Sequence, residues 1–120
     1  MRTIDLETFP RRKHFELYRA FDHPHFSLCA NVDLTNFHPY IKQIGYSINL
    51  AIIYLLSRVA NTIPEFRYRL RGETIVAYEV VHPSTTILAG EDLFSFCTLT
   101  YTQDFSTFAA SAAETIAYVQ

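Results

Sequence analysis

Ser47-Ile48-Asn49-Leu50-Ala51-Ile52-Ile53-Tyr54-Leu55-Leu56-Ser57-Arg58-Val59-Ala60-Asn61 is the stretch that decides the fold. Apolar residues recur there at helical spacing. Ile48, Ala51, Ile52, Leu55 and Val59 form a stripe that Leu56 widens. The stripe is broad enough to be covered by a sheet and by a neighbouring helix. Pro64 stops the helix, because its ring leaves no backbone N–H to continue the ladder.

Downstream the period changes from helical to alternating. Phe66-Arg67-Tyr68-Arg69-Leu70, a turn at Arg71-Gly72-Glu73, and Thr74 to Tyr78 read as a hairpin. Rings are expected inward and guanidiniums outward along Phe66 to Arg69. Thr85 to Ala89 and Phe94 to Thr100 read as two further strands joined through Gly90-Glu91-Asp92. Asp104 then caps a helix to Val119, with Phe105, Phe108, Ala109, Ala112, Ala113 and Ile116 at helical spacing.

Upstream, residues 3–10 read as an extended lead-in, and Pro10 suits the first turn of a helix over Arg11 to Arg19. Phe15, Leu17 and Tyr18 are expected on its inner side. Phe26, Leu28, Ala30, Val32 and Leu34 alternate, which predicts a half-buried strand. Thr35 or Asn36 caps a helix that ends at Gly45, with Pro39 in its first turn. The order is helix, strand, two helices, four strands, helix: a mixed α/β pattern in a single domain over residues 1–120.

The totals exclude several functions. A formal charge of -2 gives no hold on nucleic acid or an anionic membrane. Three glycines cannot build a phosphate loop. No apolar run has the length of a signal peptide or of a membrane span. Cys29 and Cys97 match no metal spacing and are expected as reduced core thiols of a cytoplasmic protein.

The candidate motifs have ordinary readings. None of His14, His23, His25, His38 and His82 has an Asp four residues on, so none is expected as a catalytic base. His23-Pro24-His25 brackets a rigid residue with two imidazoles, but further metal ligands are not specified. Arg11-Arg12-Lys13 suits a solvated helix face, although the Arg11 fork could pair with a carboxylate supplied from elsewhere.

Taken in order, these motifs resemble the chloramphenicol acetyltransferases almost end to end. The first is Phe9-Pro10-Arg11-Arg12-Lys13-His14-Phe15-Glu16-Leu17-Tyr18. The segment Phe26-Ser27 to Asp33 follows, then the long helix from Tyr46 to Asn61. Ile63-Pro64-Glu65-Phe66-Arg67-Tyr68-Arg69 comes next, then Thr86, Phe94-Ser95 and Asp104-Phe105.

The resemblance implies a two-layer α/β sandwich with a mixed sheet, of the CoA-dependent acyltransferase kind and incomplete here. It implies acetyl transfer from acetyl-CoA, a co-substrate and not a resident cofactor, to a hydroxyl of chloramphenicol or a related molecule. In the family a histidine of a His-His-x-x-x-Asp-Gly motif is the base, and the enzyme is a trimer with sites between subunits. That motif is absent from this chain, so no catalytic residue is assigned and the chain alone is expected to be inactive and poorly soluble. The helix pattern that stops at Gln120 is expected of a cut chain.

Carried over by position, Leu17, Tyr18, Phe26, Thr86, Phe94 and Phe96 would line the acceptor pocket. Arg11 would hold the active-site loop by pairing with the motif's Asp. Asp22 and Pro24 depart from the pocket loop of the drug-inactivating members, which leaves another hydroxylated small molecule open as acceptor. The alternative reading is a non-catalytic small-molecule-binding module or an inactive remnant of the family.

Overall fold

The computed structural model describes all of residues 1–120. The elements are strand β1 (Arg2–Ile4), helices α1 (Arg12–Arg19), α2 (Phe37–Gln43) and α3 (Ile48–Thr62), a 3-10 turn at Pro64–Arg67, strands β2 (Tyr68–Arg71), β3 (Thr74–Ala77), β4 (Ser84–Ala89) and β5 (Leu93–Thr98), and helix α4 (Phe105–Val119). The expected α/β architecture is present and incomplete. Every strand pair is antiparallel, and the strands fall in two sheets, β1-β3-β2 and β4-β5. The lead-in is thus more than extended chain: Arg2–Ile4 pairs with Ile75–Ala77.

Local chemistry sets the element ends. Ser47 Oγ accepts from the Leu50 N–H at 3.4 Å and opens α3; Asp104 accepts from the Thr107 N–H at 2.7 Å and opens α4. Gly45, just past α2, has φ 81°, a backbone conformation that residues with a Cβ rarely adopt.

The core lies where α3 and α4 meet β5. Tyr54, Cys97, Leu99, Phe108 and Ala112 are its buried members. The Tyr54 ring packs against Phe105 and Phe108 at centroid distances of 5.0 and 5.3 Å, and its hydroxyl donates to the Gln103 carbonyl. A buried phenol without such a partner would be costly, so this bond fixes how deep the ring sits.

Four expectations need correction. First, α3 buries Ala51, Tyr54 and Ser57, with Leu50 and Ile53 packed partly against the core. Leu55, Leu56 and Val59 of the expected stripe are exposed. Helical spacing puts the two faces on opposite sides. Tyr54 anchors the inner one because its large ring can bury while its hydroxyl is satisfied.

Second, residues 26–34 form no strand: they pair with nothing and are exposed throughout. A strand needs a neighbour for its backbone groups, and none is present here. Third, Phe66 is exposed, whereas Arg67 turns inward and its Nη1 donates to the Tyr78 and Glu79 carbonyls at 2.8 and 3.0 Å. Phe66 and Arg67 sit in a 3-10 turn, where strand alternation does not apply. Fourth, Cys97 is buried but Cys29, in the unpaired segment, is exposed.

The molecule is expanded for its length. Its radius of gyration is 17.8 Å, where a compact chain of this size has about 13.6 Å. It exposes 9596 Å², about 2900 Å² more than a closed monomer of the same mass.

Candidate functional site

Two groups of residues emerge. The first lies on α1. Asp5 accepts from the Glu7 N–H at 2.9 Å and closes the turn before the helix. Phe9 then packs edge-on against Tyr68, with centroids 6.4 Å apart. Arg12 and Glu16 pair at 2.7 Å, and this bond, then the nearby charge of Glu16, raises the Arg12 pKa above its ordinary value. Arg12 is thus spoken for on the helix itself. Arg19 reaches Glu73 at 3.3 Å and lies 5.5 Å over the Phe15 ring.

Arg11 forms no ion pair with any residue of the chain. With Phe9, His14, Phe15, Tyr18 and Ile75 it lines an open, largely apolar cleft of about 430 Å³. Leu17 and Tyr18 are 57% and 52% exposed, not inward as the helix periodicity suggested, and Tyr18 meets Phe21 edge-on at 5.4 Å. The helix has a polar and an apolar side, but no packed layer covers the apolar one.

The second group lies on the β4–β5 ribbon. The register pairs Thr86 with Phe96 and Leu88 with Phe94. Period two therefore puts Thr86, Leu88, Phe94 and Phe96 on one face and Thr85, Ile87 and Cys97 on the other. Cys97 and Ile87 turn toward the core; Thr86, Phe94 and Phe96 are exposed, and the two rings meet edge-on at 5.8 Å. The structure brings these three expected pocket residues together. It does not join them to Leu17 and Tyr18, since α1 and the ribbon share no packed interface. Phe26 stands apart from both, 91% exposed in the unpaired segment.

No three His, Cys, Asp or Glu side chains come together. His82 serves the structure, because its Nδ1 accepts from the Tyr101 N–H at 3.0 Å. No helix is long and apolar enough to cross a membrane.

Sequence reasoning missed the residue that locks the ribbon to α3. Asn61 bonds the backbone of Val81 in both directions. On its other side the same segment receives the Leu99 N–H on the Pro83 carbonyl at 2.9 Å. The only local signal was an amide near a helix end, which is too common to single out.

This arrangement coincides with a known fold. The family model described as "Chloramphenicol acetyltransferase" matches residues 1–120. The chain belongs to the chloramphenicol acetyltransferase family.

Among curated proteins, "Chloramphenicol acetyltransferase 2" of Haemophilus influenzae is 36% identical over 108 residues, 89% of this chain and 51% of the relative. The "Chloramphenicol acetyltransferase" of Streptomyces acrimycini is 35% identical over 117 residues, 95% of this chain and 53% of the relative. A solved chloramphenicol acetyltransferase superposes with a TM-score of 0.92 at 30% identity, over 99% of this chain and 56% of that one. The chain thus spans about half the length of the chloramphenicol acetyltransferases it matches.

Proposed function

We propose that residues 1–120 supply the acceptor-binding half of an acetyl-CoA-dependent O-acetyltransferase acting on chloramphenicol or a related hydroxylated molecule. Family membership across the whole chain supports this most directly. The shared outward face of Thr86, Phe94 and Phe96 suits it, because an aromatic acceptor needs apolar contact and few polar anchors.

In this reading a histidine outside the chain removes the proton from the acceptor hydroxyl. The freed oxygen attacks the thioester carbonyl, a hydroxyl side chain steadies the tetrahedral oxyanion, and the CoA thiolate leaves. The working form is a cytoplasmic homotrimer with each site between subunits, and its role is antibiotic resistance. Leu17, Tyr18 and Phe26 join the acceptor wall from one side, and Thr86, Phe94 and Phe96 from the other. Arg11, which has no ion pair within the chain, is held for an aspartate of the catalytic half. Asp22 lies in an exposed stretch, where its charge stays hydrated.

The test has two arms. Residues 1–120 alone, given acetyl-CoA and chloramphenicol, release no thiol above buffer. Residues 1–120 spliced in place of the matching half of the Haemophilus influenzae relative give an enzyme whose thiol release depends on chloramphenicol. A folded, trimeric chimera with no turnover on chloramphenicol or other aryl-propanediol acceptors would sink the reading.

A further inference from the structure

Strand alternation sorts the β2–β3 hairpin into two faces. Arg69 stands opposite Val76 and Arg71 opposite Thr74, so both arginines share one face with Thr74, Val76 and Tyr78. The other face carries Tyr68 and Ile75, which meet the α1 side. Arg69 and Arg71 therefore lie across the sheet from the α1 cleft.

On that far face Arg69, Arg71, Tyr78 and His82 line an open cleft of about 400 Å³. Leu70, Val80 and Val81 complete its wall. No carboxylate lines it, and neither arginine has an ion pair. The acidic residues that flank β3 are committed elsewhere, Glu73 to Arg19 at 3.3 Å and Glu79 to the terminal amine at 3.1 Å. Two cations on one face repel, and no carboxylate of the cleft offsets them.

Every polar side chain of the cleft keeps a hydrogen to donate. Arg69 uses Nη1 on the Phe66 and Tyr68 carbonyls at 2.8 and 2.7 Å and retains its Nε and Nη2 hydrogens. Arg71 Nη2 donates to the Tyr78 hydroxyl at 2.9 Å, so that oxygen accepts and its own hydrogen is left over. His82 Nδ1 accepts from the Tyr101 N–H at 3.0 Å, which leaves the ring proton on Nε2. These bonds hold the side chains in place before any ligand arrives, and Asn61 fixes Val81 beside them.

We infer that this cleft binds a phosphate monoester, with the phosphoryl oxygens on the four donors and the organic group against the apolar wall. A phosphate monoester brings nearly two negative charges and three acceptor oxygens. That matches two guanidinium forks and two further donors, whereas a carboxylate offers one charge and two oxygens. The cleft is larger than a bare phosphate needs, and its apolar wall gives the ester group a place. The inference does not depend on the acetyltransferase reading, which uses none of these residues.

The probe is phenyl phosphate, added to residues 1–120 in equilibrium dialysis at about 0.15 M salt, where purely diffuse attraction is screened. Saturable binding with a Kd below about 1 mM is expected. Inorganic phosphate and benzoate should each bind at least about fivefold more weakly, and benzyl alcohol should not bind. Arg69→Gln and Arg71→Gln are each expected to weaken binding about tenfold. His82→Asn keeps an acceptor for the Tyr101 N–H and loses the Nε2 donor, so it should weaken binding about threefold without moving the melt. Arg12→Gln, which removes the same charge from α1, should leave binding unchanged.

Absence of saturation would overturn the inference, and so would losses with Arg12→Gln as large as those in the cleft variants. Benzoate as tight as phenyl phosphate would overturn the phosphate assignment. Inorganic phosphate as tight as the ester would overturn the role of the apolar wall. Should either cleft arginine variant melt early, His82→Asn decides alone: an unchanged affinity there overturns the site.

Discussion

Asn61 and Val81 hold each other by two hydrogen bonds: Asn61 Nδ2 donates to the Val81 carbonyl at 2.9 Å, and the Val81 N–H donates to Asn61 Oδ1 at 2.8 Å. The same Nδ2 also donates to the Ser57 carbonyl at 2.9 Å. An amide side chain offers both donor and acceptor, so it satisfies a backbone as a neighbouring strand would. Here it ties the end of α3 to the chain entering β4.

Removing that clamp strands the half-buried N–H and carbonyl of Val81, while the Ser57 carbonyl stays on the helical ladder of α3. Asn61→Ala is expected to cost about 1–3 kcal/mol in a denaturant titration. It should also speed exchange of the Val81 amide more than that of amides in β2. Equal acceleration everywhere would mean that Asn61 acts only through global stability.

The two faces of α3 should respond unequally to truncation. Tyr54→Ala removes the ring at the centre of the core and is expected to cost about 3–5 kcal/mol. Leu55→Ala, next in sequence but exposed, should stay within about 0.5 kcal/mol in the chain on its own. Thermal or urea melts of the pair decide which face is inner, and a larger loss at Leu55 would reverse the assignment.

Acid should loosen the start of α4. Asp104 accepts from the Thr107 hydroxyl and from its N–H, both at 2.7 Å, and these bonds, the hydroxyl's first, hold its carboxyl below the ordinary 3.8. A carboxyl whose pKa is lower folded than unfolded favours the folded state above its unfolded pKa. That contribution fades as pH falls through the folded value. The side-chain carboxyl of Asp104 should therefore titrate by NMR at a lower pH than in a short peptide of the same sequence. Asp104→Asn should flatten the stability profile below about pH 4. An unchanged profile would remove the cap from the account.

The two thiols should separate by rate. An aromatic disulfide reagent is expected to modify Cys29 at once and Cys97 only on unfolding, since one is exposed and the other buried. Two equally fast thiols would show that the core around Cys97 opens freely.

The sequence made some of this legible and hid the rest for physical reasons. Caps and breakers acted locally, so Pro64, Asp104 and the turn glycines marked the ends of helices and hairpins correctly. Thr86, Phe94 and Phe96 shared a face because alternation within a two-strand ribbon is also local. The orientation of α3 was not legible, because the helix is apolar on both sides and periodicity cannot rank two apolar faces. The strand expected at Phe26–Leu34 failed because alternation records what a strand wants to cover and not whether a neighbour is there. Arg67 was misplaced because a 3-10 turn rotated it out of the strand pattern.

The β4–β5 ribbon has greasy side chains above and below: Leu88, Phe94 and Phe96 on one side, Ile87, Ala89 and Cys97 on the other. In most hairpins a slip of one residue drags oily groups into water and is punished at once. Little such punishment exists here, so the bend must keep the count. Gly90, at φ 74°, is the residue that lets that bend close. A bulkier residue there would let one strand slide by a place and turn over, parting Thr86 from both phenyl groups while the hairpin survived.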